Sequence, residues 1–178
     1  MSRQETLYRE AGAQFAGALA RLVRTVERDA DKARDLEQEM HAALWSSLAR
    51  FDGASSLKTW VYRVAHNVAA DHALKAARAP RRVPLEEIGE LPSPANPEAE
   101  TAEALVIAQV RALVARLPVL DAQVILLWLE GESTKDIAEI TGLSPGAVGV
   151  RVHRIKRLLA AHFETPDPTS TPHEDTIR

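Results

Sequence analysis

The chain has 178 residues, of which 46% are hydrophobic and 26% charged, and its formal net charge at pH 7 is −3. This composition is typical of a globular protein with one domain or two small ones, and it excludes a chain that is disordered throughout. Cysteine is absent, which excludes disulfides, thiolate zinc sites and cysteine nucleophiles. No apolar run has the length of a signal peptide or of a membrane span, so we expect a cytoplasmic protein with no membrane insertion of its own.

Helical periodicity dominates the first part of the chain. Apolar residues recur every three or four positions in three segments, Leu7–Val26, Leu36–Leu48 and Trp60–Val68. The third segment follows a pair of serines, which are typical helix N-caps. We therefore predict a bundle of three to four helices over residues 1–79.

Residues 80–100 interrupt this periodicity. Five prolines occur between residues 80 and 97, and the stretch from Pro84 to Glu103 contains six glutamates and no basic residue. Such a segment cannot bury enough apolar surface to fold alone, so we predict a flexible acidic linker. The last residues, 164–178, are acidic and rich in proline and threonine, and we predict a disordered tail.

Helical periodicity resumes over residues 101–163. Four apolar segments follow one another, and the third of them, Thr134–Thr141, ends at Gly142. Only three residues separate it from Pro145, which suits the first position of the fourth helix. Two helices joined by a tight turn containing glycine form a helix-turn-helix. The chain is thus predicted to be all-α, with two small helical domains joined by a flexible linker.

The fourth segment reads "LSPGAVGVRVHRIKRLL", from Leu143 to Leu159. A helical wheel groups Val148 and Ile155 on a core face, and the opposite face is small at its N-terminal end and basic farther along. Gly146 and Gly149 each cost about 1 kcal/mol against alanine in a helix. Small residues would let a recognition helix approach bases in the major groove, N-terminus first. The competing interpretation is a solvated basic helix.

Two parts of the chain resemble bacterial RNA polymerase sigma factors of the extracytoplasmic-function (ECF) type, in the sigma-70 family. "DLEQEMHAALW" and "FDGASSLKTWVYRVAHNVAADHALKAAR" are similar to region 2, and "ARLPVLDAQVILLWLEGESTKDIAEITGLSPGAVGVRVHRIKRLLA" is similar to region 4. The matches follow the family's order. The resemblance implies a transcription initiation subunit that binds core RNA polymerase, recognises minus-10 and minus-35 promoter DNA and assists promoter melting. It also implies an anti-sigma factor as a partner.

The resemblance assigns roles to individual residues. Polymerase contacts fall on Asp35, Gln38, Glu39 and Trp45. Contacts to minus-10 DNA fall on a loop that suits a flipped-out base and on the helix after it, at Asp52, Gly53, Ser55, Ser56, Lys58, Arg63, His66, Asn67, Lys75 and Arg78. Contacts to minus-35 DNA fall on Ser144, Gly146, Ala147, Gly149, Val150, Arg151, His153, Arg154 and Arg157.

The sequence departs from the family pattern at the start of the last helix. Many relatives have Thr-Val-Lys-Ser-Arg there, whereas this chain has "AVGVR". Ala147, Gly149 and Val150 therefore replace Thr, Lys and Ser, and of the polar residues of the pattern only Arg151 keeps its place. In the first domain, Trp60 belongs to an apolar repeat, which favours core packing over stacking on a base.

Motifs of catalysis are absent from the sequence. It has no Gly-rich phosphate loop, no Gly-x-Ser-x-Gly and no His-Glu-x-x-His, and its six histidines lack a repeated ligand spacing. We therefore expect no enzymatic activity, no metal and no cofactor. Two alternatives stay open: a stand-alone helix-turn-helix regulator whose first domain dimerises or senses a ligand, and a polymerase-sequestering decoy, which only the "AVGVR" departure favours.

Overall fold

A computed structural model describes residues 2–78 and 102–164 of the chain. These ranges contain seven α-helices and no β-strand, which confirms the all-α prediction. The predicted linker, residues 80–100, and the predicted tail beyond Glu164 lie outside the described residues. Within those ranges, none of the helices combines the length and the apolar character that crossing a membrane requires.

Three helices form the N-terminal bundle: α1 (Arg3–Val26), α2 (Ala30–Leu48) and α3 (Leu57–Arg78). A side-chain oxygen caps the start of each one. Ser2, Asp29 and Ser56 accept hydrogen bonds from backbone N–H groups of the first turn that follows. Because these N–H groups have no partner inside a helix, the caps explain where each helix begins.

The buried face of α3 is shifted by one residue from the prediction. The fully buried residues are Val61, Ala65 and Ala69, one position after Trp60, Val64 and Val68. The predicted stripe is only half-buried, and the Nε1 of Trp60 donates to the hydroxyl of Ser47 at 3.1 Å. Two apolar stripes lie side by side on α3, and the one with small side chains lets α1, α2 and α6 approach closely.

Four helices form the C-terminal group: α4 (Ala102–Val114), α5 (Val119–Leu129), α6 (Thr134–Thr141) and α7 (Pro145–Glu164). Gly142 ends α6 in the left-handed conformation, with φ of 75°, which glycine adopts without strain. The hydroxyl of Ser144 then accepts a hydrogen bond from the N–H of Ala147 at 3.2 Å and starts α7. The helix-turn-helix therefore lies at the predicted residues.

The two groups of helices pack directly against each other. α3 contacts α5 and α6, and α1 contacts α5. One buried apolar cluster runs through both groups and includes Leu22 of α1, Leu127 of α5 and Ile137 of α6. A second cluster, around Ile125 and Ile155, belongs to the C-terminal group alone. The division into domains at residues 79 and 101 stays a prediction.

Candidate nucleic-acid interface

Helix α7 presents most of the predicted minus-35 residues to solvent. Exposed positions are Gly146, Gly149, Val150, His153, Arg154 and Arg157, whereas Ala147 and Arg151 are half-buried and Ser144 caps the helix. Val150 exposes 70% of its surface although it is apolar. A Cβ added at Gly149 would meet no other atom within 4 Å. Packing inside the described chain therefore does not require the glycine.

Two arginines of this surface share one buried carboxylate. Arg151 donates from Nη1 to Oδ1 of Asp121, and Arg154 donates from Nη2 to Oδ2 at 2.5 Å. The side chain of Asp121 is only 5% exposed, whereas those of Arg151 and Arg154 are 32% and 56% exposed. The carboxylate thus holds two guanidinium groups that still reach solvent.

Asp121 was not among the residues predicted from the sequence, although its surroundings in the sequence are unusual. Asp121 and Gln123 are the polar residues of α5, whose sequence "VLDAQVILLWL" is otherwise apolar. Both are buried, and buried polar groups in proteins nearly always have a partner. An acid inside so apolar a helix therefore indicated a basic partner on a neighbouring element.

The predicted base-binding loop, residues 51–56, is shaped by its own polar groups. The carboxylate of Asp52 accepts a hydrogen bond from the N–H of Ala54 at 2.9 Å, and Gly53 has a φ of 83°. Ser56 caps α3 with its hydroxyl. The buried hydroxyl of Ser55 has no hydrogen-bond partner among the described residues. The loop therefore forms a turn of its own, and the Ser55 hydroxyl is left without a hydrogen bond among the described residues.

The basic residues in the first two turns of α3 are paired with acids of the C-terminal group. Lys58 Nζ lies 2.9 Å from Oε2 of Glu132, and Arg63 Nη2 lies 3.0 Å from Oε1 of Glu139. Farther along α3, Asn67 and Lys75 are exposed, and Arg78 is the last helical residue. The predicted minus-10 surface is therefore partly covered and partly open.

His66 is the most deeply buried of the predicted minus-10 residues whose side chains the structure describes, a set that leaves out Arg78. Its residue surface is 6% exposed, and its carbonyl oxygen accepts a hydrogen bond from Nε2 of Gln123 at 2.9 Å. Burial lowers the pKa of His66 to about 4, so the ring is neutral at pH 7. In this arrangement His66 belongs to the contact between the two helical groups and cannot reach DNA.

Glu130 is the third acid on this contact between the groups. It accepts a hydrogen bond from the hydroxyl of Tyr62 at 2.7 Å and pairs with Arg21 at 2.8 Å. Burial and the nearby carboxylate raise the pKa of Tyr62 well above its usual range. Glu130 and Glu132 lie in the turn that joins α5 to α6, and Glu139 lies within α6. These closely spaced acids were the sequence signal for the contact.

The predicted polymerase-binding residues lie on the exposed face of α2. Asp35, Gln38 and Glu39 are exposed and, at spacings of three and four residues, adjoin one another on the helix. Trp45 is 43% exposed, and its ring packs edge-on against Tyr8 with 5.3 Å between ring centres. The four side chains therefore offer an acidic and aromatic surface.

A groove of about 890 Å³ lies between α1, α4 and α5. Arg21, Arg24 and Arg111 line it together with apolar side chains, and Glu130 is the one carboxylate among the described residues that line it. Across residues 2–78 and 102–164, no three His, Asp or Glu side chains are grouped closely enough to hold a metal ion. The groove thus offers no cluster of metal ligands.

Comparisons with known proteins converge on one family. Two family models match the chain, "Sigma-70 region 2" over residues 13–79 and "Sigma-70, region 4" over residues 107–159. The chain is 31% identical over 150 residues to the RNA polymerase sigma-H factor of Pseudomonas aeruginosa, covering 79% of this chain and 77% of that protein. It is 31% identical over 143 residues to the ECF RNA polymerase sigma factor SigM of Mycobacterium tuberculosis, covering 80% and 69%.

A solved structure has the same fold. It is the sigma factor RpoE in complex with the anti-sigma factor NepR from Bartonella quintana, with a TM-score of 0.67 and 21% sequence identity. The alignment covers 90% of this chain and 98% of that chain. Both family matches include candidate surfaces, since the first contains α2 and α3 and the second contains most of α7.

Proposed function

This chain belongs to the sigma-70 family of RNA polymerase sigma factors, in its ECF group, and on that premise we propose which of its surfaces binds which partner. The exposed face of α2 binds core RNA polymerase, residues 52–56 and α3 bind the minus-10 element, and α7 binds the minus-35 element. The chain assists strand opening and leaves all catalysis to the polymerase, with which it works in the cytoplasm. The observation that carries this proposal is the open face of α7, with small residues at its N-terminal end and ordered arginines beyond them.

The α2 surface is proposed to bind polymerase because it combines exposed carboxylates with a partly exposed tryptophan. Replacing Asp35 and Glu39 with lysine should weaken binding of the full chain to core polymerase, since charge complementarity guides such encounters. Circular dichroism should remain unchanged, because both side chains are exposed. A matched control is Glu10→Lys on α1, and an unchanged affinity of the α2 variant for core would contradict the assignment.

The minus-10 assignment requires a rearrangement. Lys58 and Arg63 pair with Glu132 and Glu139, and His66 is buried under α5. We propose that the N- and C-terminal helices separate when polymerase binds each group, which frees these side chains for the non-template strand. Because the RpoE homologue is seen with an anti-sigma factor, we also propose that an anti-sigma factor restrains this chain.

Run-off transcription with core polymerase tests the function. The full chain added to core should produce transcripts with defined starts from genomic templates. A stand-alone regulator would instead bind a palindromic duplex without polymerase, and a decoy would inhibit transcription by another sigma factor and start none. The region 2 match over residues 13–79 disfavours the stand-alone regulator, because such a protein has no need of a polymerase-binding bundle.

A further inference from the structure

Asp121 stands in α5 at a position where neither the core nor the helix end requires an acid. Its side chain is 5% exposed, among residues that pack in apolar clusters. It lies in the first turn of α5, where an acid commonly caps the helix, yet no side chain caps this helix. Both carboxylate oxygens are instead bonded to arginines of α7.

The arrangement leaves most donors of the two arginines available. A guanidinium group carries five N–H donors in a planar fork. Arg151 bonds Asp121 through Nη1 and Arg154 through Nη2, and both side chains remain partly exposed. Each group is therefore held at one point and keeps donors for O6 and N7 of a guanine, which arginine reads with two parallel bonds.

The shared carboxylate also changes the balance of the two ways in which arginine binds DNA. Two guanidinium groups and the one carboxylate between them carry a net charge of +1. Attraction to phosphates depends on charge and is the same for every sequence, whereas base contacts depend on geometry. One acid between two arginines therefore reduces the first contribution and fixes the orientation needed for the second.

We propose that Asp121 is a positioning residue for base recognition, which orients Arg151 and Arg154 toward the minus-35 element and limits their attraction to other DNA. This inference rests on the proposed function of α7 as the minus-35 reader. Arg157, on the same helix, is exposed and has no ion pair among the described residues. It therefore provides the comparison of an arginine that Asp121 does not hold.

The test uses holoenzyme that contains the full chain with Asp121→Asn. The probes are a pool of duplexes randomised over the minus-35 window, from which bound DNA is sequenced, and one duplex of arbitrary sequence. We expect the affinity ratio between the best and the average pool members to fall about tenfold, the value of one good bidentate base contact. Affinity for the arbitrary duplex should rise about fivefold at 0.15 M salt, the gain from one additional neutralised phosphate.

Two controls separate positioning from a loss of folding. Asp136→Asn removes the same charge from α6, where the carboxylate bonds Ser133. It should change neither the selectivity within the pool nor the affinity for the arbitrary duplex. The variant with Arg151→Lys and Arg154→Lys keeps both charges but lacks the planar fork, so it should lose selectivity while keeping its salt dependence. In NMR spectra of the free chain, the Nη–H signals of Arg151 and Arg154 should exchange slowly with water because these groups are bonded to Asp121. Asp121→Asn should make them resemble those of Arg157.

Each outcome decides between the two proposals. If wild-type holoenzyme selects no sequence from the pool and starts no transcript, the proposed function itself fails. If the wild type selects a sequence and Asp121→Asn selects it equally well, Asp121 does not position the arginines. A parallel fall of both affinities together with the melting temperature would make Asp121 a structural residue only and would also overturn the inference.

Discussion

The two candidate DNA surfaces differ in where their acidic partners come from. On α3, Lys58 and Arg63 pair with acids of the C-terminal group, so these ion pairs exist only while the two groups are docked. On α7, Arg151 and Arg154 pair with Asp121 of their own group, so these pairs survive separation. The ion pairs on α3 therefore depend on docking of the two groups, whereas those on α7 do not.

The ion pairs between the groups are not the main source of docking free energy. The Arg63–Glu139 pair is partly exposed at both ends, and exposed pairs are worth only about 0.2–1 kcal/mol. In the Lys58–Glu132 pair the carboxylate is buried, and the cost of removing it from water offsets much of the attraction. The apolar cluster that runs from Leu22 to Leu127 and Ile137 removes far more surface from water. The acids therefore determine which basic side chains are covered, and the apolar contact provides most of the free energy of docking.

The largest expected effect follows from reversing the acids that cover α3. Glu132→Lys with Glu139→Lys places like charges against Lys58 and Arg63, and the buried position of Glu132 makes the cost on the order of 3 kcal/mol. The groups should separate, and affinity for single-stranded minus-10 DNA should rise. Because the chain has no cysteine, dyes can be attached at Ser46→Cys and Ala160→Cys to follow the distance by energy transfer.

The control for this experiment is Glu10→Lys. Glu10 is an exposed acid of α1 whose carboxylate is bonded to Gln14 of the same helix. The charge change is of the same kind, yet it touches no contact between the groups. An unchanged dye distance in the double variant would show that the acids do not restrain the docked state.

A smaller effect is expected from acidification, through His66. Burial lowers its pKa to about 4 in the docked state, against about 6.5 when it is free, so the docked state binds fewer protons between these values. Docking is therefore fully favoured above pH 6.5 and weakens as the pH falls, by about 2 kcal/mol at pH 5. The dye distance should increase between pH 7 and 5 and should respond less in His66→Gln. Equal responses of the two proteins would contradict this prediction.

The helix ends were predictable because they are specified locally. Gly142 ends α6 and Ser144 starts α7, and in both cases the decisive hydrogen bond joins residues three or four positions apart. The same holds for Ser56 at the start of α3. Residue types with a strong local preference, namely glycine, serine and proline, identified the helix-turn-helix without knowledge of the tertiary structure.

The buried polar contacts were not predictable in the same way. Asp121 meets its arginines 30 and 33 residues away, and Gln123 meets His66 across 57 residues. The buried stripe of α3 was misassigned for a related reason, since two apolar stripes were available and packing against the neighbouring helices buries the one at Ala65 completely. Periodicity identifies a helix and its apolar side, but the partner helix decides which residues are fully buried.

Two arginines of α7 differ in their pairing, because Asp121 holds Arg154 and not Arg157. The salt dependence of promoter binding is the slope of log K against log salt concentration. Replacing Arg157 with alanine should make this slope less steep by about 0.9, the value for one lost phosphate contact. Replacing Arg154 should lower it by less, because Asp121 already offsets part of its charge. The measurement is binding of holoenzyme to one promoter across a salt series. Equal slopes for the two variants would mean that the Asp121 pair breaks when DNA binds.

The smallest expected effect concerns Gly149, at the N-terminal end of the α7 surface. An added methyl group meets no atom within 4 Å, so Gly149→Ala should stabilise the free chain by up to about 1 kcal/mol from helix propensity. If α7 approaches the bases at this point, the same methyl group stands between helix and groove. Promoter affinity should then fall or its base preference should change, although the protein melts at a higher temperature.

Gly12→Ala in α1 is the matched control, because a methyl group there also meets nothing within 4 Å and the site lies away from α7. It should raise the melting temperature by a similar amount and leave promoter binding unchanged, since only its helix propensity differs. Thermal melts of both variants and binding of their holoenzymes to promoter variants complete the experiment. If Gly149→Ala behaves like Gly12→Ala in both measurements, Gly149 does not face DNA, and the weak start of α7 has no role in close approach to the bases.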